Sequence, residues 1–186
     1  MHFEYSSQNG IIRHFHDVYG DSYSKYFILN ESSYVRDQKI DKAFDINSSR
    51  YSYWIPSTMD GYFSICFPFH SISIESFEII TSDGYCFPVK FGVEVSFDGK
   101  LYYNYKEFEP NMKYKEIKQF LYNVENVRCF KHKSIKSTCE SHNYGGDIIN
   151  YEFFGTLYSI KNVCTQALRA NFRSNFFDII ILIFLN

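Results

Sequence analysis

The sequence predicts an all-β protein, an antiparallel β-sandwich with one short helix at its start. Aromatic residues make up 20% of the 186 residues, and their bulk favours the pleated surface of a strand. Polar and apolar residues alternate over three stretches, 63–67, 89–95 and 149–155, as in strands that bury one face. The pair Asp98-Gly99 follows the second stretch and is typical of a hairpin turn. Short strands separated by turns at this spacing indicate a sandwich or a barrel.

The helix is predicted near the N-terminus. Apolar residues recur at helical spacing over 10–19, Asn9 can cap the start, and Gly20 ends the pattern. A strand is expected at 26–29, followed by a polar loop at 30–38.

The length allows one domain with a single core. We expect this domain at 10–158, between an N-terminal extension at 1–9 and a C-terminal extension at 159–186. Residues 176–185 are apolar apart from Asp178, but a bilayer span needs about 20 apolar residues. The preferred interpretation is a docked or disordered extension, or translated sequence past the domain end, rather than a tail that touches a membrane.

Charge and cysteine usage predict a cytoplasmic protein. The formal net charge of −2 gives no overall field towards nucleic acid or an anionic membrane. No signal peptide is visible at the start. The cysteines are odd in number and scattered, at positions 66, 86, 129, 139 and 164. We therefore expect reduced thiols and no disulfide needed for folding.

One group of residues has the ligand types of a zinc site. It has the pattern C-x2-H-x6-C-x2-H and consists of Cys129, His132, Cys139 and His142. The first two lie in a predicted strand, where residues three apart point to opposite faces. The favoured interpretation is therefore a core cysteine with surface histidines, and zinc is the alternative.

Neither nucleic-acid binding nor catalysis is expected. The basic clusters, at Lys113, Lys115, Lys118 and at Lys131, Lys133, Lys136, are mixed with glutamates along the chain. The sequence contains no G-x-S-x-G, no phosphate-binding G-x-x-x-x-G-K and no H-E-x-x-H motif. A cysteine–histidine pair is left open by the sequence, but nothing places a histidine beside a cysteine.

Four segments in order resemble the discoidin family, which includes the type C domain of coagulation factors five and eight. Residues 42–47 with Tyr53-Trp54 are similar to its opening "A-x-D-x-N … W", and 63–69 to its next strand. Residues 91–99 are similar to "W-x-I-E-x-S-N-D-G", and 151–155 match "I-E-F-F-G". The resemblance implies a jelly roll of the galactose-binding-like type. Phe91 and Phe97 depart from the motif, and the terminal cysteine pair of secreted members is absent, which suggests a divergent, intracellular-type member.

The resemblance also implies a candidate structural calcium site. In carbohydrate-binding relatives the Asp of the opening loop and the Glu of the closing strand help to hold the ion, which points here to Asp45, Asn47 and Glu152. Ile46 stands where those relatives have glycine. Without calcium, Glu152 is expected to accept hydrogen bonds from a neighbouring strand or loop. Trp54 and Phe91 are expected in one core.

The predicted function is a non-catalytic binding or adhesion module for a protein or carbohydrate. The module is expected to belong to a larger multidomain protein or family. Recognition is expected from the polar loops at 30–38, 47–53 and 139–146, at one end of the sandwich. The predicted contacts are Arg50, Tyr51, His142 and Asn143. A module that binds phospholipid headgroups through loop aromatics such as Tyr51 or Tyr53 is the alternative, and a hydrolase is the least favoured.

Overall fold

The computed structural model describes residues 5–6, 9–46 and 53–159. These ranges contain one α-helix, α1 (Ile11–Tyr19), and three short 3-10 helices, Gly20–Tyr26, Ile40–Phe44 and Glu140–His142. The strands are β1 (Tyr5–Ser6), β2 (Ile28–Glu31), β3 (Tyr62–Cys66), β4 (His70–Thr81), β5 (Pro88–Ser96), β6 (Tyr103–Phe108), β7 (Ile117–Val127), β8 (Cys129–Ser137) and β9 (Ile148–Ser159).

The strands form two antiparallel sheets that enclose one core. The four-stranded sheet has the order β1-β9-β4-β7, and the five-stranded sheet has the order β2-β3-β8-β5-β6. From β6 to β9 each strand lies in the sheet opposite the one before it, which is the connectivity of a jelly roll. The predicted fold class is therefore confirmed.

The three predicted alternating stretches lie in β3, β5 and β9, and the predicted helix is α1. One boundary differs from the prediction: a strand was expected at 26–29, but a 3-10 helix runs to Tyr26 and β2 begins at Ile28. Phe27, between them, is buried in the core that α1 shares with the sandwich. The tertiary contact of Phe27 therefore decides where the strand begins.

Aromatic side chains fill the space between the sheets. Trp54 and Phe91 are both fully buried and belong to one core cluster, as predicted. The other large side chains with the same burial include Phe63, Phe77, Phe130, Tyr151 and Phe153. Tilted and edge-on ring pairs dominate this core, which is the arrangement that aromatic quadrupoles favour.

Glu152 fastens α1 to the four-stranded sheet. Its Oε1 accepts a hydrogen bond from the Ile12 N–H at 2.8 Å, and its Oε2 accepts one from the Arg13 N–H at 3.1 Å. The first N–H groups of a helix lack intrahelical partners, and a carboxylate there also complements the helix dipole. Burial raises the pKa of Glu152 to about 7, while these N–H groups oppose the rise. The donors were expected on a neighbouring strand or loop. Two of them lie instead on a helix, and the third is the N–H of Phe153 in the same strand.

The structure contradicts the expectation of reduced thiols, because two disulfides tie the sandwich together. Cys66 and Cys129 face each other on β3 and β8, with Cα atoms 4.1 Å apart. Cys86 is bonded to Cys139, with Cα atoms 5.0 Å apart. The odd count misled the sequence argument because four of the five cysteines can pair and leave one over. The fifth, Cys164, lies outside the described residues.

The predicted extensions fall largely outside the described residues, as does 176–185. In the part of the chain that the structure describes, no helix has both the length and the apolar character required to cross a bilayer.

Candidate functional site

Four connections meet at one end of the sandwich, because β2, β4, β6 and β8 all run towards it. We call this end the loop end and define it by residues 34–46 with 53–57, 82–87, 109–116 and 138–147. Backbone hydrogen bonds join these segments: the Val35 N–H donates to Ile55 O, the Gly145 N–H to Pro56 O, and the Thr138 N–H to Phe87 O. The loop end is therefore one connected surface.

Two of the predicted recognition loops lie together at the loop end. The loops at 30–38 and 139–146 both contact the segment 53–58 that separates them. His142 and Asn143 are exposed there, and Asn143 has a positive φ of 56° that turns the chain at the tip. Arg50 and Tyr51 lie outside the described residues, and so does Asn47.

Tyr85 is the most exposed large hydrophobic side chain among the described residues, at 88%. Two contacts nevertheless fix the backbone at Tyr85. The Thr138 hydroxyl donates to Tyr85 O at 2.7 Å, and the next residue, Cys86, is bonded to Cys139. A ring that is open to solvent on a fixed backbone is a suitable stacking platform, since little conformational freedom remains to be lost on binding. Sequence reasoning missed Tyr85.

A second aromatic group lies on the neighbouring loop. The rings of His142 and Tyr144 stack with centroids 5.9 Å apart and an interplanar angle of 24°. The Ser141 hydroxyl lies 3.0 Å from His142 Nδ1. Because Cys139 joins this loop to the loop of Tyr85, the two aromatic groups are carried by covalently linked segments.

Close packing of two glycines sets the course of the loop that carries His142. A Cβ atom on Gly145 would collide with the ring of Pro56, and one on Gly146 would collide with Pro88. The chain can therefore pass between these prolines and enter β9 only with glycine at both positions. The Gly145-Gly146 pair was visible in the sequence, but its packing partners were not.

Asp147 lies buried beneath the loop end. Its Oδ2 accepts a hydrogen bond from the Ser82 hydroxyl at 3.0 Å, and its backbone N–H donates to Cys86 O. Burial raises the pKa of the Asp147 carboxyl to about 7, and the hydrogen bonds oppose the rise. Burial also raises the pKa of the Tyr53 hydroxyl, to which the charges of Asp147 and Asp83 add. The hydroxyl of Tyr53 therefore stays protonated and able to donate.

The stability of the protein should fall as the pH rises from about 4 to about 7. The pKa of Asp147 is higher in the folded chain than in the unfolded chain, so its contribution is fully present below the unfolded pKa and is lost as the pH rises through about 7. The loss should be on the order of a few kcal/mol, and Glu152 contributes in the same direction. We expect the free energy of unfolding of Asp147→Asn, measured with urea at several pH values in this interval, to depend clearly less on pH than that of the wild type. An unchanged pH dependence would show that Asp147 does not titrate in this range.

The four candidate zinc ligands are not brought together. Cys129 begins β8 and is bonded to Cys66, whereas Cys139 follows the other end of β8 and is bonded to Cys86. His132 lies between them in the core, stacked on Phe91 with ring centroids 4.6 Å apart. Burial lowers the pKa of His132 to about 3, so this imidazole is neutral. The predicted surface position is wrong for His132, which is buried like Cys129, and holds for His142. Both cysteines form disulfides instead of staying free thiols.

The candidate calcium ligands are engaged elsewhere as far as they are described. Glu152 accepts the N–H groups of Ile12 and Arg13. Asp45 follows the 3-10 helix Ile40–Phe44 and lines a different cleft, beside Tyr23 and Lys42. Within 5–6, 9–46 and 53–159, no group of three or more His, Cys, Asp or Glu side chains could hold a metal ion. The calcium site stays a prediction, and the contacts of Glu152 weigh against it.

Solved structures with this fold include bacterial carbohydrate-binding modules. The family 32 module of NanJ from Clostridium perfringens, in complex with galactose, has a TM-score of 0.55 and 12% identity, over 70% of this chain and 94% of that one. Module CBM32-1 from a family 31 glycoside hydrolase of the same organism has a TM-score of 0.54 and 17% identity, over 68% and 93%. A fucose-binding module from Streptococcus pneumoniae has a TM-score of 0.54 and 14% identity, over 69% and 90%.

The sequence itself adds no family assignment. No protein-family model matches it, and no curated protein matches it. At these identities the structural likeness shows the fold. It supports the discoidin resemblance only in that discoidin domains and these carbohydrate-binding modules share this fold. The chain therefore adopts the galactose-binding-like β-sandwich of the family 32 carbohydrate-binding modules.

Proposed function

We propose that the chain is a non-catalytic module that binds a glycan at its loop end. The observation that carries the proposal is Tyr85, which is 88% exposed on a backbone fixed by Thr138 and by the disulfide from Cys86 to Cys139. Tyr85 is accompanied by Asp83 on its own loop and by His142 and Asn143 on the linked loop.

These residue types fit the chemistry of a sugar. The flat ring of a tyrosine can stack on the apolar C–H face of a pyranose, because an aromatic side chain is large and loses few rotamers. The carboxylate of Asp83 can accept sugar hydroxyls, and the amide of Asn143 can both donate and accept. The large hydrophobic side chains exposed at the described part of the loop end are the tyrosines Tyr34, Tyr85 and Tyr114, and each carries a hydroxyl group that can bond to a sugar. A glycan is therefore preferred to a protein partner.

The structural neighbours support this ligand class, since the solved modules include one bound to galactose and one that binds fucose. The structural calcium ion and the role in adhesion stay predictions, because no contact at the loop end tests them. The predicted cytoplasmic location also stays a prediction. The two disulfides weigh against it, because disulfides persist mainly in oxidising compartments.

Tyr85→Ala should weaken glycan binding at least about tenfold, as truncation of a central aromatic contact does. Tyr85 makes no core contact, so the thermal unfolding midpoint should stay unchanged. The measurement is isothermal titration with a glycan that binds the wild-type chain. The matched control is Tyr103→Ala, because Tyr103 is exposed on β6 towards the opposite end. Equal losses in the two variants would contradict a site at the loop end.

A membrane-surface role is the second candidate, and the opposite end of the sandwich is the observation that favours it. Phe69, Phe97 and Leu101 are exposed there, at 48%, 41% and 58%. Lys100 lies next to Leu101 in the turn, and exposed apolar tips with a cation can enter a lipid headgroup layer. This role would use the end away from Tyr85, and not the loop aromatics from which it was predicted.

A further inference from the structure

A polar groove lies on the outer face of the five-stranded sheet, beside the loop end. Its volume is about 420 Å³, which lies within the range of small-molecule sites. We call it the side groove, and it is lined by Ser32, Ser33, Thr58, Asp60, Tyr62, Lys131 and Lys133.

The pairing of β3 with β8 builds the floor of the side groove. Tyr62 is the register partner of Lys133, and Ser64 is the partner of Lys131. Lys131 and Lys133 are two residues apart on one strand, so both point away from the core that holds Phe130. The position of the cations is therefore fixed by strand register and does not depend on a loop.

Some groups in the side groove are already engaged. Lys131 forms an ion pair with Glu94 at 3.0 Å, and its Nζ lies 4.9 Å from the centre of the Tyr62 ring. The Ser32 hydroxyl accepts a hydrogen bond from the Tyr62 N–H at 2.9 Å. These contacts hold Tyr62 in place, and the residue is 37% exposed.

Other groups have no partner within the described ranges. The Ser33 hydroxyl oxygen is buried and makes no hydrogen bond there. No ion pair joins the side chains of Lys133 and Asp60 to any described residue. A buried hydroxyl without a partner is destabilising, so such groups usually bond to a ligand or to water.

We propose that the side groove is a second sugar-binding site, separate from the one at the loop end. The carboxylate of Asp60 would accept two sugar hydroxyls, while the ammonium of Lys133 and the hydroxyl of Ser33 would bond to others. The exposed part of the Tyr62 ring offers an apolar surface to the sugar. The inference rests on the proposed function only in its ligand class, since it uses none of the loop-end residues.

The mixed charge of the side groove selects a sugar over a simple anion. A phosphate or sulfate near Lys133 would also meet the carboxylate of Asp60, and Lys131 is already neutralised by Glu94. A ligand with many hydroxyl groups can satisfy a cation and a carboxylate together. Neutral hexoses are therefore the expected ligands.

The segment 56–61 makes backbone hydrogen bonds next to both sites. The Ser134 N–H donates to Gly61 O beside the side groove, and the Gly145 N–H donates to Pro56 O beneath the loop of His142. Two sites on the same rim could hold two units of a branched glycan, and such paired binding raises the apparent affinity without new contacts.

Amide chemical-shift mapping of the full chain during titration with galactose, fucose and N-acetylgalactosamine tests the proposal. With at least one of these sugars we expect shifts at Ser33, Tyr62 and Lys133, in addition to shifts around Tyr85. The double variant of Asp60→Asn with Lys133→Ala should lose the side-groove shifts and keep those around Tyr85. Both changed residues are exposed, so the fold should be unaffected.

Lys100→Ala is the matched control, because Lys100 is exposed at the opposite end, and it should change neither set of shifts. Shifts around Tyr85 alone would overturn the side groove and leave the proposed function intact. Shifts at the side groove alone would support the second site and overturn the loop-end site. An absence of both sets, or side-groove shifts that persist in the double variant, would overturn the inference.

Discussion

Replacing Trp54 with alanine is expected to lower the free energy of unfolding by about 3–5 kcal/mol. The indole ring is fully buried and meets Phe63 edge-on, with ring centroids 5.0 Å apart. Its Nε1–H donates to Glu31 Oε2 at 3.0 Å. The truncation would therefore leave a cavity and also remove a donor from a partly buried carboxylate, whose pKa burial already raises.

Chemical denaturation of Trp54→Ala, Trp54→Phe and the wild type measures this effect. Trp54→Phe loses the hydrogen bond to Glu31 but keeps most of the ring packing, so it should cost less than Trp54→Ala. The backbone of Trp54 also pairs with Ile148, and both variants retain those bonds. A denaturation midpoint that does not move in Trp54→Ala would show that Trp54 is not a core residue.

Loss of the disulfide from Cys66 to Cys129 is expected to cost about 2–5 kcal/mol. This bond closes a loop with a sequence separation of 63, and long loops restrict the unfolded chain strongly. The double variant of Cys66→Ala with Cys129→Ala should therefore unfold at a lower temperature than the wild type. Reductant should lower the midpoint of the wild type more than that of the variant.

Alkylation of the unreduced chain in denaturant, followed by peptide mass spectrometry, distinguishes bonded cysteines from buried thiols. We expect Cys66, Cys86, Cys129 and Cys139 to be protected. Labelling of all four without prior reduction would contradict the disulfides and restore the expectation of reduced thiols.

The fold class could be predicted from the sequence because apolar and polar residues alternate without interruption in several strands. In β5 the buried Phe91, Val93 and Val95 are separated by single residues, and Asp98-Gly99 follows as a tight turn. That turn is stabilised locally, since the Asp98 carboxylate accepts the N–H groups of Lys100 and Leu101. Local patterns of this kind depend only on neighbours in sequence.

Other strands could not be predicted in the same way. In β4, Ile74 and Phe77 are both buried although they are three residues apart, because a register irregularity lies between them. In β7, Leu121 is exposed whereas its neighbour Phe120 is buried. Apolar residues therefore lie on both faces of this strand, and its sequence does not alternate cleanly between apolar and polar residues. The alternation is lost where a bulge shifts the faces or an edge strand carries apolar residues outward.

The candidate site was predictable only in outline. Polar composition pointed to the loop of His142 and Asn143, and the structure joins that loop to the segment 53–58, which the loop at 30–38 also contacts. Nothing near Tyr85 distinguishes it from the other tyrosines of the chain, which number 17 in all. Its importance depends on the bond from Cys86 to Cys139, a contact between residues 53 positions apart.

A glycan array probed with the full chain tests the central claim most directly, with the double variant of Tyr85→Ala and His142→Ala on a matched array. Binding of the wild type to a defined set of glycans, lost in the variant, is the predicted result. Liposomes of neutral and anionic lipid should not retain the wild type under the same conditions. Retention on liposomes without binding to any glycan would contradict the account and favour the membrane role of Phe69, Phe97 and Leu101.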